Sequence, residues 1–305
     1  MNSLRSVPPF IFALAALTPT GHSDAAPVPL YTATPFTVAG GFLPDIEGPA
    51  CDAAGNVYAV NGPWLQTIFR ATPEGSTEVF ATLPGQSVGN GIRFDRAGAM
   101  FVADYTEHNI LRVDMHTRAV TIFAHEDRMN QPNDLAIAPD DTLYASDPNW
   151  KDGTGQLWLI DRHGHVRRLA DNVGTTNGIE VSPDGHILYV NESVQRGIWA
   201  YTIAPDGSLA GKRLLKQFAD GSLDGMRCDV DGNLYVARPE KGCVVKLSPH
   251  GDVLREIDVL GARPSNLCFG GPDGCTIYVT EVEHQRFVQF RVQRPGLEWQ
   301  RWHGG

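Results

Sequence analysis

The sequence predicts an all-β fold, a six-bladed β-propeller of four-stranded antiparallel blades whose ring is closed by the N-terminal strand. Three observations lead there. Units opening at Glu47, Asn90, Asn133, Asn177, Asp224 and Asn266 recur at intervals of 43, 43, 44, 47 and 42 residues. An aromatic residue returns at a similar offset in each, as Tyr58, Phe101, Tyr144, Tyr189, Tyr235 and Tyr278. Helical periodicity appears nowhere over a useful length. Repeats of about 40 to 50 residues rich in strand signals mark propeller blades.

The second unit shows the elements in order. "GIRFD" reads as a first strand, "RAG" as a turn, and "MFVADY", "ILRVD" and "VTIFAH" as three more strands. Turn residues punctuate these runs as they do in a meander. The stretch "PFTVAG", residues 35–40, lies about as far before Glu47 as "VTIFAH" lies before Asn133. It therefore takes an outer-strand position with no earlier blade in front of it. Pairing it with the sixth blade removes edges that would otherwise recruit other chains. Residues 26–305 are expected to form this single domain.

Residues 1–25 are set apart as an export signal. Arg5 supplies the positive start, "FIFALAAL" a short apolar run, and Ser23 and Ala25 the small residues of a cleavage site. The run is too short to span a bilayer. The mature protein is accordingly expected in the periplasm or outside the cell. Five cysteines cannot all pair, and none has metal-site spacing. Mostly free, buried thiols are expected, with one disulfide left open by the oxidising compartment.

The chain of 305 residues is 42% hydrophobic and carries a net charge of −10. That content suits a soluble protein with a sizeable core. The charge argues against nucleic acid, whose phosphates call for lysine and arginine, and no basic stretch suits a membrane surface. Oligomeric state is not legible.

All six unit-opening residues are acids or amides, and each precedes the strand read as innermost. In a propeller the innermost strands surround the central channel, so these positions form a circle at one mouth. Asparagine and aspartate also favour turns before strands, but glutamate does not, so turn preference leaves Glu47 unexplained. Two carboxylates crowded among amide carbonyls would repel one another, and a hard divalent cation such as Ca²⁺ resolves the conflict. No histidine falls on the circle, which weakens a conventional zinc site.

"EGP" at Glu47, "ND" at Asn133, "NG" at Asn177, "DGM" at Asp224 and "CFGG" at residues 268–271 stand in order at blade spacing. With these motifs the chain resembles the senescence-marker-protein, gluconolactonase and luciferin-regenerating-enzyme family across essentially its whole mature length. The resemblance implies a catalytic divalent metal held by Glu47, Asn133, Asn177 and Asp224. Ca²⁺ leads, with Zn²⁺, Mg²⁺ or Mn²⁺ as other occupants. Asn90 and Asn266 then complete the ring or touch substrate.

Such a metal polarises an ester carbonyl and stabilises the oxyanion that forms. The implied reaction is hydrolysis of a small-molecule lactone, gluconolactone-like compounds first, with no redox or nucleotide cofactor. Asp224 is the candidate general base, although a carboxylate that shares a metal is a weak one. The second strand of each hairpin returns to the same mouth, which brings Asp104, Asp147 and Glu192 there. Asp147, in "SDPNW", is a candidate either to meet a substrate hydroxyl or to support the site from just behind it. Trp150 is a candidate substrate contact, and Trp64 and Trp150 are candidate pocket walls. Gln131 stands where sugar-lactonase relatives often carry an arginine against the substrate, so a sugar-acid lactone loses that partner here. Two rivals stand beside the lactonase: an arylesterase or organophosphate hydrolase on the same metal, and a non-catalytic binding propeller.

Overall fold

The computed structural model describes residues 29–61 and 66–303. The expected export signal and Trp64 lie outside the described residues. Strand β1 (Thr34–Pro35) comes first. Blade one is β2 (Ile46–Cys51), β3 (Val57–Asn61), β4 (Thr67–Ala71) and β5 (Thr77–Thr82). Blade two is β6 (Gly89–Phe94), β7 (Met100–Asp104), β8 (Asn109–Val113) and β9 (Val120–His125). Blade three is β10 (Leu135–Ile137), β11 (Leu143–Asn149), β12 (Thr154–Ile160) and β13 (Val166–Val173). Blade four is β14 (Thr176–Val181), β15 (Ile187–Glu192), β16 (Gly197–Ile203) and β17 (Leu209–Gln217). Blade five is β18 (Met226–Cys228), β19 (Leu234–Arg238), β20 (Cys243–Leu247) and β21 (Val253–Asp258). Blade six is β22 (Pro264–Gly270), β23 (Thr276–Glu281) and β24 (Arg286–Arg291), completed by β1.

Every neighbouring pair within a blade is antiparallel, so the predicted six-bladed propeller is the fold observed. Burial follows position in the blade. The second strands are apolar and shut off from water because blades cover both their faces: β3, β7 and β19 are buried at every residue. The outer strand β21, "VLREID", is exposed at five of its six positions. The repeating aromatics sit between blades. Tyr58 of blade one meets Phe94 of blade two edge-on at 5.6 Å, and Tyr235 of blade five meets Phe269 of blade six at 5.3 Å. Such contacts join large apolar area to favourable ring geometry.

The ring closes where the sequence predicts, with a shorter ladder. β1 pairs antiparallel with β24 through Thr34 and Pro35 only. Proline at 35 has no N–H to give, and the next two N–H groups, of Phe36 and Thr37, both turn to the Phe287 carbonyl. Contact nonetheless continues along the turn that leads into β24, where the Gly40 N–H reaches the His284 carbonyl at 2.8 Å and the Phe42 N–H the Gln285 carbonyl at 3.3 Å.

A seven-residue helix, α1 (Leu297–His303), is absent from the sequence reading because two turns are too few for a periodic pattern. It lies across the mouth of the channel opposite the ring of unit-opening residues. Trp302 packs on Phe94 at 5.5 Å, Arg301 donates to the Ile137 carbonyl, and Trp299 meets Gly274. All five cysteines are free thiols, as expected. Cys51 and Cys268, on the innermost strands that meet at ring closure, stand Sγ to Sγ at 3.5 Å.

Candidate active site

The unit-opening residues sit where regular pairing fails. Register shifts interrupt the first hairpin between Glu47 and Ala50, Gly89 and Ile92, Thr176 and Ile179, and Pro264 and Asn266. In blades three and five the innermost strand starts only after Asn133 and Asp224. Irregularity of this kind re-aims side chains and is common beside active sites. Glu47, Asn90, Asn133, Asn177 and Asp224 thereby line one cavity of about 350 Å³, joined by Asp45, Val88, Gly89, Tyr105, Trp150 and Ser193.

The glycine after most of these residues has a steric cause. A Cβ at Gly178 would stand 2.4 Å from the Asp224 carbonyl oxygen, and one at Gly91 would stand 2.5 Å from Asp134 Oδ1. Four times the ring segment of the next blade thus packs over the glycine: Asn90 over Gly48, Asn133 and Asp134 over Gly91, Asp224 over Gly178 and Asn266 over Gly225. A side chain there would push the ring apart. The Gly91 N–H also bonds the Asn133 carbonyl at 2.7 Å, which fixes the spacing between blades.

Beneath the ring lies a second circle that the sequence shows three residues after each repeating aromatic: Asn61, Asp104, Asp147, Glu192, Arg238 and Glu281. All are buried. Most of them tie down the loop that leads into an innermost strand. Asn61 Oδ1 accepts the Leu43 N–H at 2.7 Å, and Asp104 accepts the Ser87 hydroxyl at 2.6 Å and the Val88 N–H at 3.2 Å. Asp147 accepts the N–H groups of Asn130 and Gln131 at 2.8 and 2.6 Å and the Trp158 indole N–H at 2.8 Å.

The electrostatics of the ring turn on burial. Desolvation pushes the Glu47 carboxyl up to about 7, opposed by the Gly48 N–H and reinforced by the negative Asp134. Burial also pushes Asp224 well above the usual carboxylate range, and the negative Glu47 adds to it. Amide hydrogen bonds oppose these shifts, from Asn266 to Glu47 and from Asn177 to Asp224. Among the described lining residues none is lysine, arginine or histidine. Two half-buried carboxylates, Asp224 raised by Glu47 and Glu47 by Asp134, flanked by asparagine amides and open to a cavity, fit a hard divalent cation by the chemistry of their donors.

The comparisons with known proteins agree with this architecture. Residues 46–283 match the model of the SMP-30/Gluconolactonase/LRE-like region. The chain belongs to that family. A gluconolactonase of Zymomonas mobilis is 25% identical over 287 residues, covering 82% of this chain and 80% of that protein. A 6-deoxy-6-sulfogluconolactonase of Pseudomonas putida is 32% identical over 163 residues, covering 52% of this chain and 56% of that protein. A calcium-binding protein, regucalcin, from Agrobacterium tumefaciens superposes with a TM-score of 0.73 at 21% identity, covering 86% of this chain and 92% of that one. At that identity the superposition speaks for the fold.

Within this SMP-30/gluconolactonase-type propeller, the expected residues divide. Glu47, Asn90, Asn133, Asn177, Asp224 and Trp150 come together at the cavity. Asn266 does not line it; with 1% of its surface exposed, it lies behind Glu47. A substrate contact from Asp147 does not fit the structure. Its strand runs on to Asn149, its side chain is wholly buried, and its oxygens are occupied by loop N–H groups and Trp158. Gln131 is likewise not among the lining residues, and its backbone N–H serves Asp147. Tyr105, Val88, Asp45 and Ser193 escape sequence reasoning; their one signal is position just before first strands or after second strands.

A separate group, Glu281, Glu283 and His284, brings its ligand atoms within 4.8 Å of one another. Glu281 there already accepts the N–H groups of Glu283 and His284 and faces His284 Nδ1 at 2.8 Å, the pattern of a closed turn.

Proposed function

We propose that this protein hydrolyses a lactone at the cavity on the propeller axis, with a divalent cation held by Glu47, Asn133, Asn177 and Asp224. The single observation that carries the reading is the pair of half-buried carboxylates, Glu47 and Asp224, converging with asparagine amides on one open cavity. Family membership and relatives named as lactonases support the reaction class. The all-oxygen donor set favours Ca²⁺, and Mg²⁺ or Mn²⁺ share its hardness.

When bound, such a cation supplies Lewis-acid polarisation of the ring carbonyl and charge for the oxyanion. The chain's own residues do the rest. Asn133 and Asn177 contribute neutral carbonyl oxygens, so two carboxylates balance a divalent charge without excess. Asp224 orients a water and takes its proton as the oxygen adds to the carbonyl carbon. The ring C–O bond then breaks, and the proton passes to the departing alkoxide to leave a hydroxy acid. Asn90, which lines the same cavity, is the residue we assign to contact with the substrate. We further propose export to the periplasm or beyond, on the strength of Arg5 and the apolar run that follows it.

Elemental analysis of the purified protein, paired with lactone turnover before and after chelation, tests this reading. Stoichiometric divalent metal and activity lost on chelation are expected. A protein without metal that turns over no lactone would favour a binding propeller. Aryl esters and phosphotriesters in the same assay separate the esterase alternative.

A further inference from the structure

We propose that the cavity selects an uncharged lactone carrying an apolar substituent, which packs on a wall formed by Val88, Tyr105 and Trp150. The inference rests on the lactone-hydrolase reading and narrows its substrate.

The apolar lining is confined to one sector. Val88 stands just before β6 and Tyr105 just after β7 in blade two, and Trp150 stands just after β11 in the adjacent blade three. The wall is held in place. The Tyr105 N–H donates to the Val88 carbonyl at 2.7 Å, and the Val88 N–H reaches buried Asp104 at 3.2 Å. Trp150 is 38% exposed, an unusual degree for an indole in a polar loop. Burial pushes the Tyr105 hydroxyl above its ordinary range, and the neighbouring Trp150 opposes the shift.

The rest of the lining offers little to a polyhydroxylated ring. The Ser193 hydroxyl already donates to the Leu223 carbonyl. Asp45 is 3.6 Å from Arg263, a pair in which both side chains are exposed. Beyond the axial carboxylates and amides, a sugar lactone would turn hydroxyls toward Val88 and the indole face. Each hydroxyl left unpaired there costs affinity, whereas an alkyl or aryl group gains by burial.

No cationic side chain among the described lining residues would receive a carboxylate, sulfonate or phosphate. Arg263 does line an adjoining groove that shares Asp45, Glu47 and Asp224, but Asp45 and Glu240 stand with it. An anionic substrate would meet more negative charge than positive on either side.

The test combines turnover with binding. Glucono-1,5-lactone, a pentyl-substituted δ-lactone and a carboxylated δ-lactone are compared by kcat/KM, and the corresponding unreactive lactams by calorimetry. The pentyl compounds are expected to lead both series by roughly tenfold or more, with the carboxylated ones last. Trp150→Ala should remove about tenfold from the pentyl lactam while leaving gluconolactam within about twofold. Equal or stronger binding of the sugar or anionic lactam, or equal losses for all three in Trp150→Ala, overturns the inference. Hydrolysis of gluconolactone in preference to the pentyl lactone overturns it too and leaves the lactonase reading standing. Preferential binding of the pentyl lactam without turnover of any lactone upholds the pocket's preference and sinks the hydrolase reading instead.

Discussion

Arg227 and Asp134 meet inside the channel, Nη1 to Oδ2 at 3.0 Å, both side chains cut off from water and 93 residues apart in the chain. Arg93 holds the other oxygen of Asp134 at 3.2 Å. On their far side, the Nε atoms of both arginines face one oxygen of Glu298 on α1, at 3.2 and 3.6 Å. A continuous chain of charge thus runs from the C-terminal helix to the residue beside Asn133. Losing a member of a buried ion network is costly because its partners remain desolvated.

Asp134→Ala leaves two buried arginines without their shared carboxylate. A loss of about 3–5 kcal/mol in urea denaturation is expected. Glu298 retains 21% side-chain exposure, so Glu298→Ala is expected to cost less, roughly 1–2 kcal/mol. Stability unchanged in the second variant would mean that α1 merely covers the channel.

Asp224→Asn is expected to separate activity from stability. It removes a proposed ligand and base, so lactone turnover should fall to background, a drop of about a thousandfold or more. It also removes a half-buried carboxylate that Glu47 opposes, so the chelated protein at pH 8 should melt at a higher temperature than the parent. Near-normal turnover would refute the assignment of Asp224.

Glu47 and Glu180 are both raised to about 7, chiefly by burial. A carboxyl whose folded value lies above its unfolded value of 4.5 binds more protons in the native state between the two. Its contribution is therefore intact below about 4.5 and is lost as pH rises through about 7. The chelated protein should lose thermal stability from pH 5 to pH 7.5 in a scan at fixed salt. Added Ca²⁺ should restore it at pH 8 and do little at pH 5.5, where protons compete for Glu47. A flat or rising profile without metal would contradict this account.

Asp147→Asn keeps the shape of the loop anchor and removes its charge. The variant is expected to lose about 1–3 kcal/mol of stability, since one amide oxygen cannot serve two loop N–H groups and an indole equally well. As the Asp147 oxygens are already engaged by loop N–H groups and the Trp158 indole, kcat should change less than KM, through movement of the segment that carries Asn133. A large loss of kcat with stability intact would restore Asp147 as a direct contact.

The propeller was readable because its cause is repetitive. Each unit buries its second strand between neighbours, so an apolar run and an aromatic return with every blade, and Tyr58, Phe101 and Tyr144 announce the period. The ring was readable for a related reason: repeats place equivalent residues at equivalent positions, so Glu47 and Asp224 could be set on one circle without coordinates. Gly48, Gly91, Gly178 and Gly225 mark the same circle, because the next ring residue packs over each of them. The type and place of Asp147 suit a substrate contact and a loop anchor equally. Only the direction of its side chain separates the two, and strand β11 running two residues past it sets that direction.

Local chemistry along the chain, then, was enough for the blade count, the closure and the ring, since each depends on a pattern that recurs within some forty residues. What the folded molecule alone could assign depends on partners far apart in sequence. Arg93 and Arg227 share a place in the repeat, three residues after Asn90 and Asp224, but nothing in it names Asp134 and Glu298 as their partners, and the wall of Val88, Tyr105 and Trp150 spans two blades. Charge pairing and cavity shape are relations between distant segments, and no stretch of the chain contains them until the ring has closed.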